Sequence, residues 1–169
     1  MDTIKTINTR RSVRNYTGDA IPPEIIQELL KAGMNAPSAG NQQPWHFLVI
    51  IDRQKLDKIP EIHPYAKMVK QASLAILVCG DLTLEKHEGF WVQDCSAATQ
   101  NILLAVRASN LGAVWVGIYP REERIKAFKD YFELPDKIVP LSLIPIGYSE
   151  TKQEEKDRFK KERIHYDKW

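Results

Sequence analysis

The stretch that most restricts how this chain can fold is residues 88–109, EGFWVQDCSAATQNILLAVRAS. Val92, Cys95, Ala98/Thr99, Ile102 and Ala105/Val106 recur at the helical period and make one apolar stripe. Small residues continue round the other sides, so this long helix has no clearly polar face to give to water. It calls for burial on more than one face, with a second subunit as one candidate cover. Gly112 stands just past its end, where a helix stop belongs.

Around this segment, short apolar runs alternate with amphipathic ones. WHFLVII (45–51), SLAILVCG (73–80), AVWVGIY (113–119) and VPLSLIPIG (139–147) have the length and the β-branched or aromatic content of strands. The last carries Pro140 and Pro145, which lack an N–H donor, and so reads as a poor regular central strand. A short helix carrying Ile4 and Ile7 should end near the arginines at 10–14. Pro22 and Pro23 open a second helix, with Ile25, Ile26, Leu29, Leu30 and Met34 at helical spacing, stopped by Pro37 and Gly40. Asp52 can cap a third helix leading to the HPY loop, and Pro120 opens another through REERIKAFKDYF. Strands separated by helices mean α/β or α+β, and periodicity does not choose between them. At 169 residues with no internal repeat or linker, one domain spanning 1–169 is expected.

Charge and cysteine usage exclude several function classes. Lys+Arg 24 against Asp+Glu 22 gives no bulk field that would draw a polyanion, so a nucleic-acid partner is not expected. No apolar run reaches the 18 or so residues that span a bilayer, and MDTIKTINTR has no signal-peptide core, so a cytoplasmic location without membrane attachment is expected. Cys79 and Cys95 lie in apolar runs without CxxC spacing and read as buried small hydrophobes. HEGFW (87–91) begins like a zinc-protease motif, but residue 91 is Trp where the second His is needed, and no metal site is expected. No glycine-rich dinucleotide fingerprint occurs. His46 reads as a core or edge histidine, and Trp91 and Trp115 as core or interface residues.

Two stretches carry chemistry of their own. TRRSVRNY (9–16) holds three arginines within five positions. If it is extended, Arg10, Ser12 and Arg14 share a face opposite Arg11 and Val13; if helical, Arg10 and Arg14 still do. Guanidinium forks bind phosphate oxygens in pairs and a serine hydroxyl adds a donor, so the set suits one phosphate group. The plain alternative is a solvated helix end with cations at its C-terminal dipole. APSAGNQQPWHF (36–47) gathers Ser38, Asn41, Gln42 and Gln43 between two prolines. Side-chain amides there could meet the C=O and N–H edge of a heterocycle, or simply build a polar turn.

RRSVRNY, APSAGNQQPWHFLVI, DCSAATQNILLAVRASNLGAVWVGIYP, IPIGY and RFKKERIHYDKW, in that order, resemble the FMN-dependent nitroreductase family over essentially the whole chain. The resemblance implies an α+β homodimer, with a central mixed, mostly antiparallel sheet flanked by helices and two FMN sites in the dimer interface. Arg10, Arg11, Ser12 and Arg14 fall on the family's flavin-binding segment, with Arg10 and Ser12 at the phosphate end. Arg14 would lie nearer the pyrimidine side, as electrostatic support for the anionic reduced ring. Pro37, Ser38, Ala39 and Asn41 match the loop that reaches the flavin held mainly by the neighbouring subunit. Gly117, Ile118 and Tyr119 match the strand-end segment whose amides approach the ring's reactive edge. Arg158, with Lys156, corresponds to a cation closing on the phosphate, and Lys160 or Arg163 are the alternatives.

The implied activity is an NAD(P)H-dependent FMN oxidoreductase. Hydride passes from NADH or NADPH to flavin N5 and electrons leave by a ping-pong route to a small-molecule acceptor such as a nitroaromatic or a quinone. No side-chain nucleophile is required. Two departures stand out: the chain is short for the family, without a lid insertion, and residues 63–75 offer Lys67 and Lys70 without clear register to the family's ring contacts. The competing readings are a flavin-consuming or flavin-sensing relative, and a nucleic-acid module using RRSVR and the basic tail.

Overall fold

A computed structural model describes residues 2–169. Five α-helices and five strands follow the chain: α1 (Thr3–Thr9), α2 (Pro23–Met34), β1 (Trp45–Ile50), α3 (Arg53–Ile62), β2 (Leu74–Asp81), α4 (Trp91–Ala108), β3 (Gly112–Ala113), β4 (Val116–Gly117), α5 (Glu122–Phe132) and β5 (Ile138–Gly147). The strands form one sheet in the order β1-β2-β5-β3, with β4 also on β5, and every strand pair is antiparallel. A single parallel bridge joins Ser12 to Ala113, so the mixed, mostly antiparallel α+β arrangement is the one found.

Helix α4 lies in the middle of the molecule, with Cys95, Ala98, Thr99 and Ile102 fully buried. It packs on the sheet and on α2, so its apolar circumference is covered on two sides within this chain. The other sheet face holds a second core, where Leu56 and Ile59 of α3 and Phe128 of α5 meet Leu77 and Leu143. Asp52 caps α3 as the sequence suggests, accepting from the Gln54 and Lys55 N–H groups.

Two strand expectations need correction. The proline-bearing run is the central ten-residue strand β5, and it pairs on both sides. Its prolines are absorbed by interruptions: the β2 ladder shifts register between Val78 and Cys79, next to Pro140. The expected strand at 113–119 is two short pieces in one register, Gly112↔Gly147 and Val116↔Leu143 having equal residue sums of 259. In that register Val114 stands opposite Pro145, whose missing N–H cannot extend the ladder.

The segment after α1 is extended and locks onto the sheet at two glycines that face one another. A Cβ on Gly112 would come within 2.7 Å of Val13, and one on Gly147 within 3.0 Å of Tyr16. The Tyr16 hydroxyl donates to the Val13 carbonyl at 2.6 Å, and the Val13 N–H to the Ala113 carbonyl at 2.9 Å. With Val13 buried, Ser12 and Arg14 point to the exposed side. Among the described residues, no helix is long and apolar enough to cross a membrane.

Candidate functional site

Where α1 ends, Arg10 and Arg11 line a cavity of roughly 560 Å³ together with Lys156 and Arg158 of the tail. The tail is held there by two polar clasps. Gln153 accepts from the Arg11 N–H at 3.2 Å and donates to the Leu111 carbonyl at 3.3 Å, while Asn8 donates to Glu155 at 3.0 Å. These clasps set the tail register, bringing Lys156 and Arg158 to the cavity rather than Lys160 or Arg163. Ser12 is exposed, with its backbone bridged to Ala113, and does not line this cavity.

Four cations, Arg10, Arg11, Lys156 and Arg158, outnumber the two carboxylates, Glu155 and Asp157, round this cavity. The Arg10 guanidinium is pulled below its usual pKa, first by burial and then by the positive charges of Arg11 and Arg158. Arg11 Nη1 donates to the Arg10 carbonyl at 2.7 Å, yet its Nε and Nη2 are buried without a hydrogen-bond partner. Two unpartnered donors on a half-buried cation cost stability by themselves.

Arg14 lines a different cavity, of roughly 480 Å³, with His63, Met68, Trp115, Gly117 and Arg124. Of the three residues expected at the strand end, Gly117 alone faces this space. A Cβ built on it meets nothing within 4 Å, so β4 offers the cavity a bare backbone wall. The Ile118 and Tyr119 amides, expected near a ring edge, already donate to the Leu141 carbonyl at 3.0 and 3.1 Å, because the register shift in β5 turns that oxygen towards both. Lys67 and Lys70 are exposed and line neither cavity; His63, Tyr65 and Met68 are the members of that segment that line the Arg14 cavity.

The 37–41 loop lies outside both cavities. Gly40, Asn41 and Gln43 have φ of 53°, 54° and 46°, a strained run that needs external fastening. Asp94, buried on α4, supplies it by accepting from the Ala39 N–H at 3.0 Å and from Gln42 at 2.7 Å. Gln42 in turn accepts from the Lys86 and His87 N–H groups, so its amide is committed to the fold and cannot read a ligand. Sequence reasoning passed over Asp94, although its place on the α4 stripe one turn before Ala98 marked it as buried. His46 sits 3.5 Å from Asp81 at the sheet edge, Trp91 is buried, and Trp115 is partly exposed in the Arg14 cavity. Among the described residues, no group of three or more His, Cys, Asp or Glu could hold a metal ion.

The Nitroreductase family model matches residues 7–75 and 63–148. A Methanothermobacter thermautotrophicus protein named "Putative NADH dehydrogenase/NAD(P)H nitroreductase" is 50% identical over all of this chain and 88% of its own length. A solved structure from Parabacteroides distasonis with the same name superimposes with a TM-score of 0.94 at 42% identity, covering 99% of this chain and 98% of that one. Another, "a putative nitroreductase in complex with fmn" from Desulfovibrio desulfuricans, gives 0.85 at 30% identity over 100% of this chain and 98% of its own.

Proposed function

The chain belongs to the nitroreductase family, and we propose that within it the protein is an NAD(P)H-dependent oxidoreductase that binds FMN and passes its electrons to nitroaromatic, quinone or similar acceptors by a ping-pong route. The observation that carries this reading is the cavity that half-buried Arg10 and Arg11 share with Lys156 and Arg158 at the end of α1. A phosphate monoester fits that donor set, since it offers several acceptor oxygens and a charge near −2. Arg10, Arg11, Lys156 and Arg158 line one small space, which favours a small anion over a polynucleotide backbone.

Bound FMN supplies hydride acceptance and release, chemistry that no side chain here provides. The residues of the chain bind, orient and compensate charge. Arg10 and Arg11 hold the phosphate, and the clasped tail brings Lys156 and Arg158 over it. Arg14 places a positive charge in the cavity beside the Gly117 wall, where it stabilises negative charge on a ring system. The bare backbone at Gly117 leaves room for a flat aromatic body.

The working unit is proposed to be a homodimer of chains that each act as one domain over 1–169. Ile4, Ile7 and Met34 on α1 and α2 are 63%, 47% and 55% exposed beside a groove lined by Leu104 and Ala105, an apolar face suited to a second copy. Pro37, Ser38, Ala39 and Asn41, which reach neither cavity of their own chain, would then serve the partner's flavin.

The deciding experiment is the visible spectrum of the purified protein during anaerobic titration with NADH or NADPH. A flavin spectrum that bleaches with one nucleotide and returns on adding a nitroaromatic or quinone is expected. A protein that takes up no FMN, or whose flavin neither nucleotide reduces, would overturn the reading.

A further inference from the structure

The Gly117 wall is bare, so its position rests on its main chain, and two side chains from different elements converge on its carbonyl oxygen. His63 Nε2 lies 3.0 Å from that oxygen and Arg124 Nη1 lies 3.1 Å from it. The Tyr65 N–H donates to His63 Nδ1 at 3.3 Å, so Nδ1 is the acceptor and Nε2 carries the hydrogen given to Gly117. His63 itself is only 1% exposed. Arg124 comes from the first turns of α5 and is itself steadied over the Tyr65 ring, 5.4 Å from its centroid. On the other side of the same peptide unit, the Ile118 N–H donates to Leu141. The peptide after Gly117 is thus held at its oxygen by two donors and at its nitrogen by one acceptor. It can neither flip nor tilt without leaving a buried polar group unmet.

We propose that His63 and Arg124 are positioning residues, which set the planar backbone wall of the Arg14 cavity and so determine how tightly and in what electronic environment an isoalloxazine ring lies against it. The inference rests on the FMN reading given above and extends it to two residues that the family resemblance did not assign to the flavin. Neither side chain is required to touch the ring; each acts through the Gly117 carbonyl. A ring lying on a main-chain wall depends on that wall to a fraction of an ångström, because dispersion contact decays within that distance.

The effect must fall on the ring and spare the phosphate, and this separates it from general damage. The variants are His63→Leu, His63→Gln, Arg124→Ala and Arg124→Lys, each prepared as the full chain and titrated with FMN, with lumiflavin, which has the ring but no phosphate, and with inorganic phosphate. His63→Leu and Arg124→Ala are expected to weaken lumiflavin and FMN binding by roughly fivefold to tenfold, the worth of one net hydrogen bond. They should also shift the visible band and the midpoint potential of bound FMN while leaving phosphate affinity within twofold. His63→Gln, which keeps a donor, and Arg124→Lys are expected to restore most of both. Should His63→Leu not fold, the Arg124 pair decides alone. An unchanged spectrum, potential and lumiflavin affinity in the variants that fold overturns the inference, as does an equal loss of phosphate binding. A wild-type protein that binds no flavin sinks the function reading instead, so the two failures are distinguishable.

Discussion

Arg11 is the residue at which stability and ligand affinity pull apart. Its buried, unpartnered Nε and Nη2 cost the unliganded chain free energy, of the order of 1–3 kcal/mol per unmet group in general. Arg11→Met, which keeps the aliphatic volume, should therefore leave the unliganded thermal midpoint unchanged or raised, while weakening FMN about tenfold to a hundredfold. Differential scanning calorimetry with and without FMN checks both halves. Gly117→Ala makes the complementary case: the methyl group meets nothing within 4 Å, so the unliganded chain should melt within a degree or so of wild type, yet FMN affinity should fall because the methyl stands where the ring would lie. At this scale the sequence was legible where charge was concentrated. RRSVR left a phosphate clamp and a solvated helix end as alternatives, and which arginines are half-buried depended on Val13 seating against Gly112, a contact made across the fold. His63 and Arg124 carried no local signal, since an HPY loop and a helix opening meet only in three dimensions.

Among the elements, α4 was the most readable. A helix with small and apolar residues round most of its girth has to be interior, and here sheet and α2 cover it. Its one buried carboxylate is the exception that matters, because Asp94 fastens the strained 37–43 loop from inside the core. Asp94→Ala should cost about 2 kcal/mol by leaving the Ala39 N–H and the Gln42 amide unmet. The loss is measurable as a lower urea midpoint together with faster amide exchange confined to residues 37–43. The strands were read less well. Pro140 and Pro145 argued against a regular central strand, whereas β5 tolerates them at the centre of the sheet through a register shift and a gap in the neighbouring ladder. Composition of one strand cannot reveal that, since the accommodation is made by the partner strands.

For the molecule as a whole, burial of both thiols makes stability depend on alkaline pH. Burial pushes Cys79 up from an ordinary 9.0 to about 12, and raises Cys95 as well, with Cys79 and Asp94 adding to the effect of burial. The folded chain keeps these protons at a pH where the unfolded chain has lost them. The stabilisation is fully present below about pH 9 and is lost as pH climbs towards about 12, at up to about 1.4 kcal/mol per pH unit for each thiol. Urea unfolding from pH 8 to 11 should show this decline, and Cys79→Ala should flatten it. Assembly makes a separate prediction. Ile4→Glu on the exposed α1 face should convert a dimer to a monomer by sedimentation velocity and remove FMN, although Ile4 lines neither the Arg10 cavity nor the Arg14 cavity. An unchanged dimer would show that the apolar face serves something else.

The order β1-β2-β5-β3 also has a consequence for how the chain is made. β5 is the last strand to be synthesised and is the one that three of the other four strands, β2, β3 and β4, pair with. At a translation speed of about 5–20 residues per second, the second edge of β2 waits several seconds for the strand that pairs with it. A growing chain of this protein is therefore a pair of strands with an open edge until residue 147 is free of the ribosome, and this interval is when it is most in need of a chaperone.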